Sequence, residues 1–187
     1  DEAYELIESS NTSSQEFSAN VSFELQTTDK ITMTQLSKNV FQSSEPLISG
    51  TNMQILLDNH QPMYLYIFSS DDSKKVEILF PPDDKISPLM PYKDNPVVIP
   101  GEGYFIQMND TKGTDVLCIL YCKEKIDFKI VQQKLNGMSG EMYSNIKYLL
   151  GDKIFSDDEV RCSSNSQYLN TKFYTKSSMG EILLVSY

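Results

Sequence analysis

The sequence predicts a β-rich α+β domain: an antiparallel β-sandwich with two or three short helices near the C-terminus. Three observations predict it. Between residues 50 and 122, short apolar or alternating stretches recur, separated by turns rich in Pro, Gly, Asn, Asp and Ser. The links between most stretches are too short for a helical crossover, so neighbouring strands are expected to pair antiparallel. After residue 126 the apolar spacing changes from two to three or four, the spacing of a helix buried on one side.

Each element follows in order. Residues 1–18 read as a flexible N-terminal arm or linker, because Ser9 to Gln15 is an unbroken polar tract. Residues 19–187 form a single domain with a helical insertion at 127–160. Val21 to Gln26 alternates apolar and polar, the mark of a half-buried strand. Ile31 to Thr34 alternates likewise, and residues 35–47 read as irregular. Met53 to Leu57 is a strand. Met63-Tyr64-Leu65-Tyr66-Ile67-Phe68 is apolar throughout, so it is expected to be central and covered on both faces. A polar turn at 69–75 leads to a hairpin partner, Val76 to Phe80. Pro81-Pro82 ends that strand, since proline has no N–H to give to a ladder. Five prolines make 81–96 a long extended loop. Val97 to Ile99 is a short edge strand. Pro100-Gly101-Glu102-Gly103 is a tight turn, Tyr104 to Met108 follows, and 115–122 is a cysteine-bearing strand.

Asp127 caps a helix whose Phe128, Val131 and Leu135 share a face and whose end is Gly137. A second helix runs from Ser139 to Gly151 with Met142, Tyr143, Ile146, Leu149 and Leu150 on one stripe. Ser156 and Glu159 have capping-box spacing and open a third short turn. Tyr168 to Tyr174 is a weak strand, and Glu181 to Tyr187 a clear last one.

Composition narrows function. The chain has 187 residues, 40% of them hydrophobic, and a formal charge of -10. Arg161 is its only arginine, which excludes nucleic acid as the expected partner and disfavours an anionic membrane surface. No apolar run reaches the ~18 residues that a membrane span needs. The chain begins with Asp1 rather than Met, so a removed signal peptide and an excised domain are equal expectations. Sequons at Asn11, Asn20 and Asn109 are weak signs of secretion.

Reactive side chains are few. Cys118 and Cys122 lie four residues apart on one strand, about 13 Å, too far to bridge or to share a zinc. Cys162 could join one of them, leaving one over; three free thiols is the expectation. His60, the only imidazole, sits in the turn Asp58-Asn59-His60-Gln61-Pro62. It reads as an exposed turn residue; the alternative is a hydrolase using His60, with Asp58 orienting the ring. Asp71-Asp72, Asp83-Asp84 and Asp157-Asp158-Glu159 lack the spaced oxygens of a calcium loop and read as solvated turns. Gly101-Glu102-Gly103 is a turn and not a phosphate loop. No catalytic residue, metal ligand or cofactor is assigned. Tyr64, Tyr66 and Phe68 share one strand face. They read as core, or else as a row that stacks sugar rings. The loop aromatics Tyr92 and Tyr104 are the candidate ligand-binding residues.

Residues 50–128 also carry an ordered succession: Gly50 to Leu57, Tyr64-Leu65-Tyr66-Ile67-Phe68, Leu79-Phe80-Pro81, a proline-rich loop, Val98-Ile99-Pro100, then Gly113 leading into Val116 to Leu120. This resembles the bacterial domain of unknown function 4384, with its Y-L-Y-x-F, L-F-P, I-P and G-x-x-x-L succession. The turn after Phe68 lacks the glycine many members have there. The resemblance implies a non-catalytic accessory or interaction module of a bacterial cell-envelope protein. It implies a periplasmic or surface location, an upstream lipid anchor as in lipoproteins, and a protein partner or neighbouring domain. It supplies no catalytic residues. A carbohydrate-binding β-sandwich module is the second expectation.

Overall fold

The computed structural model describes residues 17–90, 96–164, 169–173 and 181–187. In chain order its strands are β1 (Phe17–Leu25), β2 (Met33–Ser37), β3 (Val40–Ser43), β4 (Asn52–Asn59), β5 (Met63–Ser70), β6 (Val76–Phe80), β7 (Leu89–Met90), β8 (Pro96–Ile99), β9 (Ile106–Gln107) and β10 (Val116–Cys122). Helices α1 (Phe128–Asn136) and α2 (Met142–Leu150) follow, then a 3₁₀ turn at Gly151–Lys153, β11 (Val160–Ser164), β12 (Leu169–Phe173) and β13 (Ile182–Ser186).

The described strands form two sheets. One has the order β11-β12-β1-β4-β8, with β9 also on β4. The other has the order β2-β3-β13-β10-β5-β6, with β7 also on β5. The first keeps strict alternation. Met53, Ile55, Leu57 and Asn59 of β4 are buried while Asn52, Gln54, Leu56 and Asp58 are only partly so. Ala19, Val21 and Phe23 of β1 point the same way and pair with Asn59, Leu57 and Ile55. On its other face the described residues Asn20, Ser22, Gln54 and Leu56 are only partly buried, as alternation leads one to expect; it is called the open sheet below.

The second sheet is covered on both faces. Leu65, Ile67, Ile119, Tyr121, Leu183 and Val185 join Val21, Phe23, Ile55 and Leu57 of the open sheet in one hydrophobic cluster. Their neighbours Tyr66, Phe68, Cys118, Leu120, Cys122 and Leu184 turn the other way, onto Phe128, Val131 and Leu135 of α1 and Met142 and Ile146 of α2. Successive strand residues point to opposite faces, so a strand apolar at every position must have cover on both. The apolar runs of β5, β10 and β13 meet that condition.

The helices are fixed at their ends. Asp127 accepts a hydrogen bond from the Ile130 amide at 3.1 Å, and Gly137 terminates α1. The Tyr66 hydroxyl accepts from the Ile126 amide at 3.1 Å and donates to the Ile126 carbonyl at 3.3 Å, with its ring 5.7 Å from that of Phe128. At the far end of α1 the Asn136 side chain accepts from the Val76 amide at 2.8 Å and donates to the Val76 carbonyl at 3.0 Å. Gln132 donates to the same carbonyl.

Several expectations need correction. Residues 35–47 are not all irregular: β2 continues to Ser37 and pairs with β3. The outward residues of β2 are exposed, and the ladder shifts register between Gln35 and Ser37, so the hairpin leaves little apolar periodicity. The domain's first strand starts at Phe17, before the expected boundary at 18; residues 1–16 lie outside the described residues. Among the described strands pairing is antiparallel except between β3 and β13, which meet in parallel at Val40 and Ser186; outside the named strands Ile154 also bridges Ile182 in parallel. The 81–96 loop contains β7. Helix α2 starts at Met142 rather than Ser139, because Gly140 has φ +101° and breaks the helical path. The Glu159 carboxylate accepts from the Ser156 amide and hydroxyl, half of a capping box, but the pair closes a turn before β11; the third helical element is the 3₁₀ turn at Gly151–Lys153.

Candidate functional site

At one end the two sheets border an open groove of about 1140 Å³. Phe23, Met53 and Ile106 reach it from β1, β4 and β9; Phe41, Leu117 and Tyr187 reach it from the covered sheet. The Tyr187 ring stacks on Phe41 at 5.5 Å and tilts against Phe23 at 5.0 Å. These contacts give the floor a fixed aromatic base. Leu36 stands at the rim with 60% of its surface exposed.

The lip is acidic. Asp71 accepts from the Ser73 amide and hydroxyl, and these bonds hold its carboxyl below the usual range. Partial burial, then the nearby charges of Asp71 and Asp72, push the Asp115 carboxyl upward. A Cβ at Gly113 would collide with the Asp72 carboxylate, so this loop approaches the acidic turn closely. Lys75 also lines the groove, and its ammonium lies 2.7 Å from Glu77. The groove offers apolar contact together with neutral polar groups such as Gln42, Ser69 and Thr114, and more negative than positive charge.

Of the candidate residues from the sequence, Tyr104 falls elsewhere. Tyr92 lies outside the described residues. Tyr104 is 72% exposed on a turn that Gln54 holds, its side-chain amide donating to the carbonyls of Gly101 at 3.0 Å and Tyr104 at 2.7 Å. Gly103, at φ +75°, makes that turn possible. Tyr66 is fully buried beneath α1, so the row containing Tyr64 and Phe68 packs as core and is not presented to a ligand. His60 is half-buried rather than exposed. Its Nε2 lies 3.2 Å from the Asn20 side-chain nitrogen and 3.9 Å from Asp58 Oδ2.

All three cysteines are free. Burial pushes the Cys118 and Cys162 thiols up to about 12 and Cys122 higher still. A thiol that stays protonated is a poor nucleophile. The acidic runs are engaged locally: Asp84 pairs with Lys129, Asp157 with Lys147 and Asp158 with Lys38. Among the described residues no three of His, Cys, Asp and Glu converge as a metal site, and no helix is long and apolar enough to cross a membrane.

Sequence reasoning missed the groove. Its walls come from strand ends and from the β2–β3 hairpin, where periodicity is weakest. The signal present was compositional: Leu36, Val40, Phe41 and Leu47 are apolar residues in the stretch 35–47 otherwise read as irregular.

Fold and groove together define a class: a strand-rich, two-sheet domain with a helical layer and no assigned reactive centre. Within it, residues 47–125 match the family described as Domain of unknown function (DUF4384), which bears out the resemblance carried by Tyr64 to Phe68 and Leu79 to Pro81. The match covers less than half of the chain, runs from before β4 to the end of β10, and so supplies strands to both sheets. Neither curated proteins nor solved structures give a match.

Proposed function

We propose that this protein is a non-catalytic accessory or interaction module of a bacterial cell-envelope protein, with its two sheets packed face to face as a β-sandwich. The observation that carries the reading is the open groove: Phe23, Phe41, Met53 and Leu117 line it with an exposed Leu36 beside them, and neutral polar and charged groups complete the lining, the mix that a docking surface presents. The cysteines that burial keeps protonated support it, because a protonated thiol is a poor nucleophile. A periplasmic or surface location, an upstream lipid anchor and a protein partner complete the proposal.

The test is a photo-crosslinking residue at position 36 of the protein in its native cells. A small set of discrete adducts, lost when the residue is moved to the exposed position 148, is the expected result. Turnover of ester, glycoside or peptide substrates that disappears in His60→Ala with the fold intact would refute the proposal.

Tyr104 favours a second reading, carbohydrate binding, because an exposed ring on a braced turn can stack on a sugar face. A glycan array on which binding is absent, or survives Tyr104→Ala, removes it.

A further inference from the structure

We infer that the groove takes a cationic, apolar segment of a protein partner, with aliphatic side chains on the floor and Lys or Arg at the lip. The inference rests on the reading of the chain as an interaction module and adds the chemistry of what is bound.

The apolar part of the lining is held by the stack of Tyr187 on Phe41 and its tilted contact with Phe23, so little ordering is needed before an aliphatic side chain settles there. Leu36 extends that surface outward. The lip selects charge. Asp71, Asp115 and Glu77 line the groove against Lys75, and the Lys75 ammonium is already engaged by Glu77. Burial first, and then the charges of Asp71 and Asp72, disfavour the Asp115 carboxylate; an incoming cation offsets the charge repulsion. The net charge of -10 draws such a segment in from solution and repels acidic peptides and phosphate-bearing ligands. The chain's own first residues suit the groove poorly: Asp1, Glu2, Glu5 and Glu8 carry four negative charges and no positive side chain.

The experiment uses the whole chain and a fluorescein-labelled peptide of alternating leucine and lysine, read by fluorescence anisotropy. Two comparison peptides replace lysine by glutamate or leucine by serine. The leucine–lysine peptide is expected to bind roughly tenfold more tightly than either comparison, because it alone satisfies floor and lip. Leu36→Ser and the double variant Asp71→Asn with Asp115→Asn should each weaken it several-fold. The change at position 71 keeps a side-chain oxygen to accept from Ser73, and a thermal melt confirms folding of each variant. Asp152→Asn, beyond the helices, should leave binding unchanged.

Equal binding of the serine–lysine peptide, or an Asp152→Asn loss as large as that of the lip variant, means diffuse attraction to an acidic protein and overturns the inference. Leucine–glutamate binding that depends on Leu36 overturns the cationic partner and leaves the module reading standing. So does a chain that sediments as a dimer dispersed by Leu36→Ser, which seats a second copy there. If none of the peptides binds, the inference falls; the module reading falls with it only if the crosslinker at position 36 also captures nothing.

Discussion

The open sheet and the covered sheet are built by the same backbone rules and differ in what lies beyond them. In the open sheet, Ile55 is buried and the next residue, Leu56, is partly exposed on the other side. In the covered sheet, Ile67 and Phe68 are both fully buried, one toward the open sheet and one toward the helices. Apolarity at every position therefore marks a strand with two neighbours in depth, while alternation marks a strand with one. The difference shows how a short strand can hold a layer on each side: α1 and α2 complete the covered sheet and leave its twin face free for the shared core.

The sharpest way to break this comparison is to empty one site in each sheet. Phe68→Ala should cost about 3–5 kcal/mol, because it opens a cavity between sheet and helices. Leu56→Ala, on the open face, should cost less than about 1 kcal/mol. Urea unfolding of both variants reads the contrast directly; equal losses would mean the open face is covered too.

Alkaline unfolding comes next. Burial raises Cys118 from 9.0 to about 12 and Tyr66 from 10.0 to about 12, so the unfolded chain loses these protons first as pH climbs. Their stabilising contribution is whole below pH 9.0 and is lost as pH rises toward about 12. Both groups face the helices, so stability should fall through this window, and Cys118→Ala or Tyr66→Phe should flatten the fall. Chemical denaturation at a series of pH values measures it; an unchanged slope in both variants would place the sensitivity elsewhere.

A smaller effect sharpens the helical side alone. Asp127→Ala removes the side chain that accepts from Ile130 and should cost about 1 kcal/mol, with Asp127→Asn or Asp127→Ser retaining most of the cap. The smallest effect is expected from Lys38→Ala. Its pair with Asp158 is solvent-exposed on both sides and should leave the urea midpoint unchanged.

The elements readable in the sequence are those whose burial writes a period. Val21 to Gln26, Met63 to Phe68 and Val76 to Phe80 declared themselves, as did the helix between Asp127 and Gly137, because one or two packed faces dictate residue type at fixed intervals. β3 and β11 did not, and β2 did so only at its start, where Ile31 to Thr34 alternates. Met33 to Ser37 is exposed over four of its five residues, and β11 joins the open sheet through β12, which pairs with β1 far away in sequence. The candidate site was less legible than the fold. Tyr104 was singled out as a loop aromatic and is exposed. The groove is assembled from strand ends far apart in the chain, Phe23 and Phe41 with Leu117 and Tyr187, and no local pattern joins them.

The two-point grip of Asn136 on Val76 carries a consequence for crowded conditions. Strand β6 borders the covered sheet, and a bordering strand offers its amides and carbonyls to any passing chain. By occupying both backbone groups of Val76, the Asn136 carboxamide stands in for the strand that would otherwise attach there. Gln132 adds a second donor to the same oxygen. The helical layer thus shields the Val76 end of this edge as well as covering the core, and a protein without that amide would offer one more open pair of backbone groups to its neighbours.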